Sequence, residues 1–176
     1  FLMDNVADNK YFVFISLKKI IFAVLNANNK LFFKKELLAN ENIKPQNFIL
    51  LEKFLDENII SLEKKLKLPI HDISLIIDLN EFITIDITSV QSLNFITNEI
   101  DLSSSNLIKI REDVLKNMND HNLIHMIINK YIINGKEYSY LPKFNSRDDF
   151  FLEIRFILLK ENTFLHLKKI FSKYEI

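Results

Sequence analysis

Cysteine is absent from the chain, which excludes a disulfide framework and a thiolate zinc site and fits a reducing cytoplasm. Glycine occurs once, as Gly135. Loops that cradle phosphate need glycine, because the backbone must approach the anion closely and take up positive φ. The one glycine sits in "YIINGKEY", where Asn-Gly between apolar runs is hairpin chemistry. Net charge is missing too: 23 Lys and Arg balance 23 Asp and Glu over 176 residues, so no field draws in nucleic acid or an anionic membrane. The densest basic cluster, "SLEKKLKL", reads as a solvated helix end. Long apolar runs are lacking, since "IIFAVL" and "MII" fall far short of the ~18 residues of a membrane span. The opening "FLMDNVADNK" has no basic region followed by an apolar stretch, unlike a signal peptide. The chain starts on Phe1, which leaves two readings open, a fragment or a start at Met3.

What is abundant is core material. Hydrophobic residues make up 48% of the chain, 16 of them Phe, enough for one compact domain or two small ones. Lys, Asn, Ile, Phe and Leu dominate, as an AT-rich coding sequence would give.

Short β-branched and aromatic stretches at 11–16 (YFVFIS), 20–26 (IIFAVLN) and 30–36 (KLFFKKE) predict three strands with short connections, an antiparallel meander. A helical pattern follows over about 46–67, with Leu51, Phe54, Leu55, Leu62 and Leu66 on one stripe and Ile59 beside it. Pro69 ends it. "DISLIID" (72–78) is a nearly continuous apolar run. It predicts a strand buried on both faces and parallel to the first strand.

"FITIDITS" (82–89) alternates strictly, with Ile83, Ile85 and Ile87 on one face and Thr84, Asp86 and Thr88 on the other, as a half-exposed strand does. "VQSLNFITNEIDLSSSN" is irregular and polar. Ser105 is placed to cap a helix over 106–118. "NLIHMIINKYIIN" (122–134) reads as a long strand and "LPKFNSRDD" as a loop. "FFLEIRFILL" (150–159) is a strand with Leu152, Ile154, Phe156 and Leu158 on one face. "ENTFLHLKKIFSKY" closes with a helix whose stripe is Phe164, Leu167, Ile170, Phe171 and Tyr174. Two α+β units meeting near residue 80 account for the pattern, 1–80 and 81–176.

Chemistry-bearing clusters are sparse. His71, His121, His125 and His166 show no metal-ligand spacing on a shared helix face. Asp148 and Asp149, like Asp120, read as strand-entry polarity with no partner base or oxyanion donor nearby. Ser16 and Ser103–Ser105 lack a nucleophile elbow. The aromatics fall mostly at core positions and do not interleave with basic residues as a single-strand binder requires. A small enzyme on an unfamiliar α+β fold would need ionisable groups converging in one pocket, and nothing in the sequence gathers them.

The run from "LIHMIINKYIINGKEY" through "FFLEIRFILL" to "HLKKIFSKYEI" resembles the inserted subdomain of the bacterial actin-like cell-division family FtsA. The resemblance is carried by His125, Tyr131, Pro142, Arg155 and the helix from Asn162, over roughly fifty residues without gaps. Upstream, "LEKFLDENIISLEKKLKLPIHDISLIIDLNEF" is similar to the helix and strand that precede that subdomain, and "FVFISLKKIIFAVL" sits where the family's first hairpin sits. Ile128 stands where the family usually has Pro.

This resemblance implies an α+β chain: a partial actin-like, ribonuclease H-like subdomain (antiparallel three-strand meander, helix, parallel strand) followed by an SHS2-type subdomain. It implies a non-enzymatic cell-division scaffold, acting through contacts with other division proteins and through self-association into filaments. The location implied is the cytoplasm, peripheral to the membrane, which is reached indirectly or through a segment outside this chain. Where the family's first phosphate loop has an acidic residue, a small apolar residue, Gly and Thr, this chain has Phe14, Ile15, Ser16 and Leu17. Only Lys19 matches, so the nucleotide site is degenerate and no cofactor is expected. The contact positions expected on the second unit are Thr84, Asp86, Lys143, Asn145 and Arg147, chosen for exposure. A pilus-assembly relative of the same actin-like plan is the alternative.

Overall fold

The computed structural model describes residues 9–90, 93–94, 99–100, 105–145 and 148–174. The fold is mixed α+β, with two four-stranded sheets, a two-stranded ribbon and three α-helices among the described residues. The chain divides into two compact units, one within 9–80 and 162–174, the other over 81–161.

The first unit opens with β1 (Lys10–Ser16), β2 (Lys19–Leu25) and β3 (Leu31–Leu38), an antiparallel meander. A single 3-10 turn (Pro45–Asn47) leads into α1 (Ile49–Leu66), and β4 (Ser74–Asp78) returns parallel to β1. The strand order is β3-β2-β1-β4. One sheet face is the core: Val13 lies opposite Phe22 and Ile15 opposite Ile20, and all four side chains are fully buried. The buried stripe of α1, Leu51, Phe54, Leu55, Ile59 and Leu62, belongs to the same unit. Leu66, expected on that stripe, is half-buried at the helix end.

β4 departs from the sequence expectation. It pairs with β1 alone and forms a sheet edge among the described residues. Ile76 is 49% exposed, so the apolar run is not buried on both faces. Continuous apolarity shows that both faces of a strand are apolar; it does not show how many layers cover them.

The lack of glycine shapes the turns. Asn29, Lys67 and Asn134 carry positive φ without being glycine. Lys67 is the clearest case: it ends α1 at φ 57, ψ 28, the left-handed cap that glycine ordinarily supplies. Lys67→Gly relieves the Cβ clash but adds freedom to the unfolded chain. A net gain of about 0.5–1 kcal/mol is expected, read as a higher urea midpoint.

The second unit contains β5 (Phe82–Val90), a ribbon of β6 (Leu93–Asn94) and β7 (Glu99–Ile100), and α2 (Ser105–Asn117). It continues with β8 (His121–Ile133), β9 (Lys136–Tyr138) and β10 (Phe150–Lys160). The ribbon lies in a stretch expected to be irregular, and the side chain of Ser105, expected as the cap of α2, lies outside what is described. The sheet order is β5-β10-β8-β9, antiparallel throughout. As its alternation predicts, β10 buries Leu152, Ile154, Phe156 and Leu158 on one face, where Leu107 and Val114 of α2 join the core. Asn134 and Gly135 form the β8–β9 turn with φ of 49 and 77, the two positive values that a type I′ hairpin requires.

Entry to and exit from this unit are clasped. Phe82 pairs with Leu159, the Lys160 amide donates to the Glu81 carbonyl at 3.2 Å, and Lys160 Nζ lies 3.3 Å from the Glu81 carboxylate.

The closing helix α3 (Glu161–Ser172) corrects the division at 81–176, because residues 162–174 group with the first unit. Thr163, Leu167 and Ile170 are its buried residues. The tail beyond it is tied to α1: Tyr174 Oη donates to Asp56 Oδ1 at 2.7 Å, and Lys173 Nζ donates to Glu52 and Asp56, each at 3.1 Å. The stripe shows that the helix has a face to bury; it does not show which sheet receives it.

Candidate interaction surface

The β1–β2 connection, where the resemblance to the actin-like family would place a phosphate-gripping turn, is held together by the chain itself. Ser16 Oγ donates to the Lys19 carbonyl at 3.4 Å. The Leu17 carbonyl accepts from the Ile43 amide at 2.6 Å, and the Lys18 carbonyl from Ala39 at 2.9 Å. Lys18 Nζ donates to the Asn40 carbonyl at 2.9 Å. Lys19 is drawn to Glu36 at 3.2 Å, and Lys34 to the other oxygen at 2.9 Å. Lys34 and then Lys19 hold the Glu36 carboxyl below its ordinary range. Phe14 points to the sheet face opposite the core, across from Ile21 and beside Ile76 of β4. These residues form a strand connection whose lysine is already paired.

The second unit carries the more exposed polar face. α2 packs on one side of its sheet; the other side is open at Thr84, Asp86 and Thr88, with Leu159 buried at its end, and strand register lays out its rows. Thr84, Ile157 and His125 form one; Asp86, Arg155 and Ile127 the next; Thr88, Glu153 and Lys130 a third. At its centre Arg155 makes a two-pronged contact with Asp86, Nε to Oδ1 at 2.8 Å and Nη2 to Oδ2 at 2.7 Å. The guanidinium holds the Asp86 carboxyl below the usual range, and the carboxylate raises Arg155 in return. Asn129 donates to Glu153, and Lys130 pairs with Glu137 at 2.8 Å. Glu137 leads the effects that raise Lys130. Alternating signs across four strands give a face whose charges are mutually compensated.

The expected contact positions therefore separate. Thr84 and Asp86 are exposed on the open face, but Asp86 is engaged by Arg155 rather than free. Lys143 and Asn145 are exposed in the loop before β10. There the Asn145 amide donates to Asp148 Oδ2 at 2.6 Å and Asn134 Nδ2 to Asp148 Oδ1 at 2.8 Å. Those two bonds hold the Asp148 carboxyl low, the Asn145 amide first. Arg147 lies outside the described residues. The loop meets β10 at Phe150, and Arg155, the partner of Asp86, stands five positions on. At about 3.3 Å per residue that is ~17 Å along the strand, two regions rather than one patch. Sequence alternation placed Asp86 and Arg155 on strand faces but could not pair them, because pairing requires the register of residues far apart in sequence.

The lowered carboxyls set the acid response. Asp56, Asp86 and Asp148 all lie below their ordinary values in the fold. Their contribution is complete above the unfolded aspartate value of about 3.9 and is lost as pH falls through the lower folded values. Burial and then Asp56 push the Tyr174 hydroxyl up, so its contribution is present below about 10 and lost as pH rises further. Urea midpoints are thus expected to hold from pH 5 to 9 and to fall on both sides. Asp86→Asn is expected to flatten the acid limb and leave the alkaline limb unchanged.

No protein-family model matches the chain, and a search of curated proteins finds no match. Among the described residues, no helix is long and apolar enough to cross a membrane. No group of three or more His, Cys, Asp or Glu among them is arranged to hold a metal ion.

Proposed function

We propose that the chain is a non-enzymatic scaffold of bacterial cell division resembling FtsA, cytoplasmic and peripheral to the membrane, that works through protein–protein contacts of its second unit. In this reading the first unit is a partial actin-like subdomain with a decayed nucleotide site, and the second is an SHS2-type insert. The observation that carries the reading is connectivity. The chain leaves the first unit after β4, builds the second unit, and returns to the first as α3, so the second unit is an insertion, and the helix from Asn162, which the resemblance counts in the inserted subdomain, lies outside it. The meander, helix and parallel strand of the first unit agree with the same plan. The compensated charges of the open face suit a surface that is desolvated against a partner, since paired ions cost less to bury than single ones.

Two experiments test the two halves. Calorimetry with magnesium and ATP is expected to give no binding heat, and micromolar binding overturns the decayed site. A fluorescent fusion in the source bacterium is expected at the division plane, with cross-links from the open face of the second unit to division proteins. Diffuse signal, or cross-links to pilus-assembly proteins instead, overturns the division role.

A further inference from the structure

We propose that Asn134 is a deamidation site, and that its conversion unties the segment before β10 from the β8–β9 hairpin. The chain has one glycine, and it follows Asn134. Both residues of this turn are exposed. A glycine amide nitrogen has no neighbouring Cβ to hinder it, so it reaches the preceding side-chain carbonyl more readily than any other residue's. A Cβ at 135 would itself meet nothing within 4 Å, so the turn is open to water as well. Every other asparagine in the chain precedes a residue that carries a Cβ, which favours the reaction at this one.

Asn134 is also the tie between two segments. Its Nδ2 donates to Asp148 Oδ1 at 2.8 Å, and its Oδ1 accepts from the Asp149 amide at 3.0 Å. Its own amide donates to the Asp149 carbonyl at 3.0 Å. A carboxylate only accepts and an amide N–H only donates, so the two ends of the carboxamide are not interchangeable. Asp148 in turn accepts from the Asn145 amide through its other oxygen, at 2.6 Å. The knot therefore depends on a neutral side chain that donates from one end and accepts at the other.

Deamidation removes the donor. The Gly135 amide gives its proton to hydroxide, and its nitrogen attacks Asn134 Cγ. The N–Cγ bond forms, the Cγ–Nδ2 bond breaks, and Nδ2 takes a proton from water and leaves as ammonia. Water then opens the ring at either carbonyl, and no oxidant or other reagent enters. One product is ordinary aspartate, which sets a carboxylate against Asp148 where an N–H had been, two like charges in contact. The other runs the backbone through the side-chain carbon and adds a methylene to a two-residue turn whose ends, Ile133 and Lys136, are paired. In the fold, the bonds to Asp148 and Asp149 hold the carboxamide in place until the knot opens. Opening and conversion thus promote each other. The device would hold for a chain with no role in division, so its failure and that of the scaffold reading are separate results.

The full-length chain is incubated at mildly alkaline pH and its tryptic peptides are followed by mass, since conversion adds ~1 Da. Conversion is expected at Asn134 ahead of the other asparagines, faster in urea than in the fold. Asp148→Ala is expected to keep the far-UV spectrum and to speed conversion in the fold about tenfold, the effect of losing one hydrogen bond to a charged group. Asn134→Asp reproduces the first product. In that variant the amides of Asn145, Asp148 and Asp149 are expected to exchange about tenfold faster, while those of Leu152 and Phe156 in β10 keep their protection. A folded chain that shows no conversion at Asn134, equal rates for wild type and Asp148→Ala, or unchanged exchange at Asn145, Asp148 and Asp149 in Asn134→Asp overturns the proposal.

Discussion

Phe156→Ala is expected to lower the stability of the second unit by about 3–5 kcal/mol. Phe156 is fully buried on β10, the strand with neighbours on both sides, and lies opposite Ile85 of β5 and Met126 of β8. Its ring sits in the cluster that also holds Leu107 and Val114 of α2. Truncation removes apolar contact and leaves a cavity that β10 cannot collapse into, because strands on either side fix its backbone. Small domains have only about 5–15 kcal/mol in total, so the variant is expected to have lost most of its folded baseline in urea titrations. Ile157→Ala, one position along and half-buried on the open face, is expected to shift the midpoint far less. Equal shifts would mean that the open face is as closely packed as the core.

Ending the chain after Glu161 is expected to unfold the first unit and spare the second. The deletion removes Leu167 and Ile170, 4% and 8% exposed, together with buried Thr163. Two apolar side chains of this size contribute about 3–6 kcal/mol through burial alone. Glu52 and Asp56 also lose Lys173 and Tyr174. In native-state hydrogen exchange the amides of β1 and β2 are expected to lose protection, while those of β8 and β10 keep it. The reverse pattern would return α3 to the second unit and remove the insertion on which the functional proposal rests.

Several features were legible in the sequence for local reasons. Short β-branched runs separated by Asn-rich turns gave the meander, and an apolar stripe at helical spacing gave α1. Strict alternation in β10 named its four core residues. What could not be seen depended on distant partners. β8 shows no clean alternation because its register with β10 shifts twice, at Glu153/Ile154 and at Ile157/Leu158. Those bulges leave Asn129 and Ile124 as extra residues and reset the face each time. The Asp86–Arg155 contact and the membership of α3 were hidden for the same reason. In the β1–β2 turn the absence of an acid, a glycine and a threonine was plain from the sequence, but the capture of Lys19 by Glu36 depended on β3.

The clasp between Glu81 and Lys160 makes the folding of one unit a reagent for the other. To complete the first unit, α3 must come back to it across an intervening segment of roughly 80 residues. As an unstructured tether, that segment would carry a closure cost of about (3/2)RT ln n, ~4 kcal/mol. Once folded, it holds its two ends a single hydrogen bond apart and delivers α3 at high effective concentration. The two folding equilibria are therefore linked through chain connectivity. A substitution deep in the second unit is therefore expected to lower the stability of the first as well, and anything that stabilises the second unit to raise it.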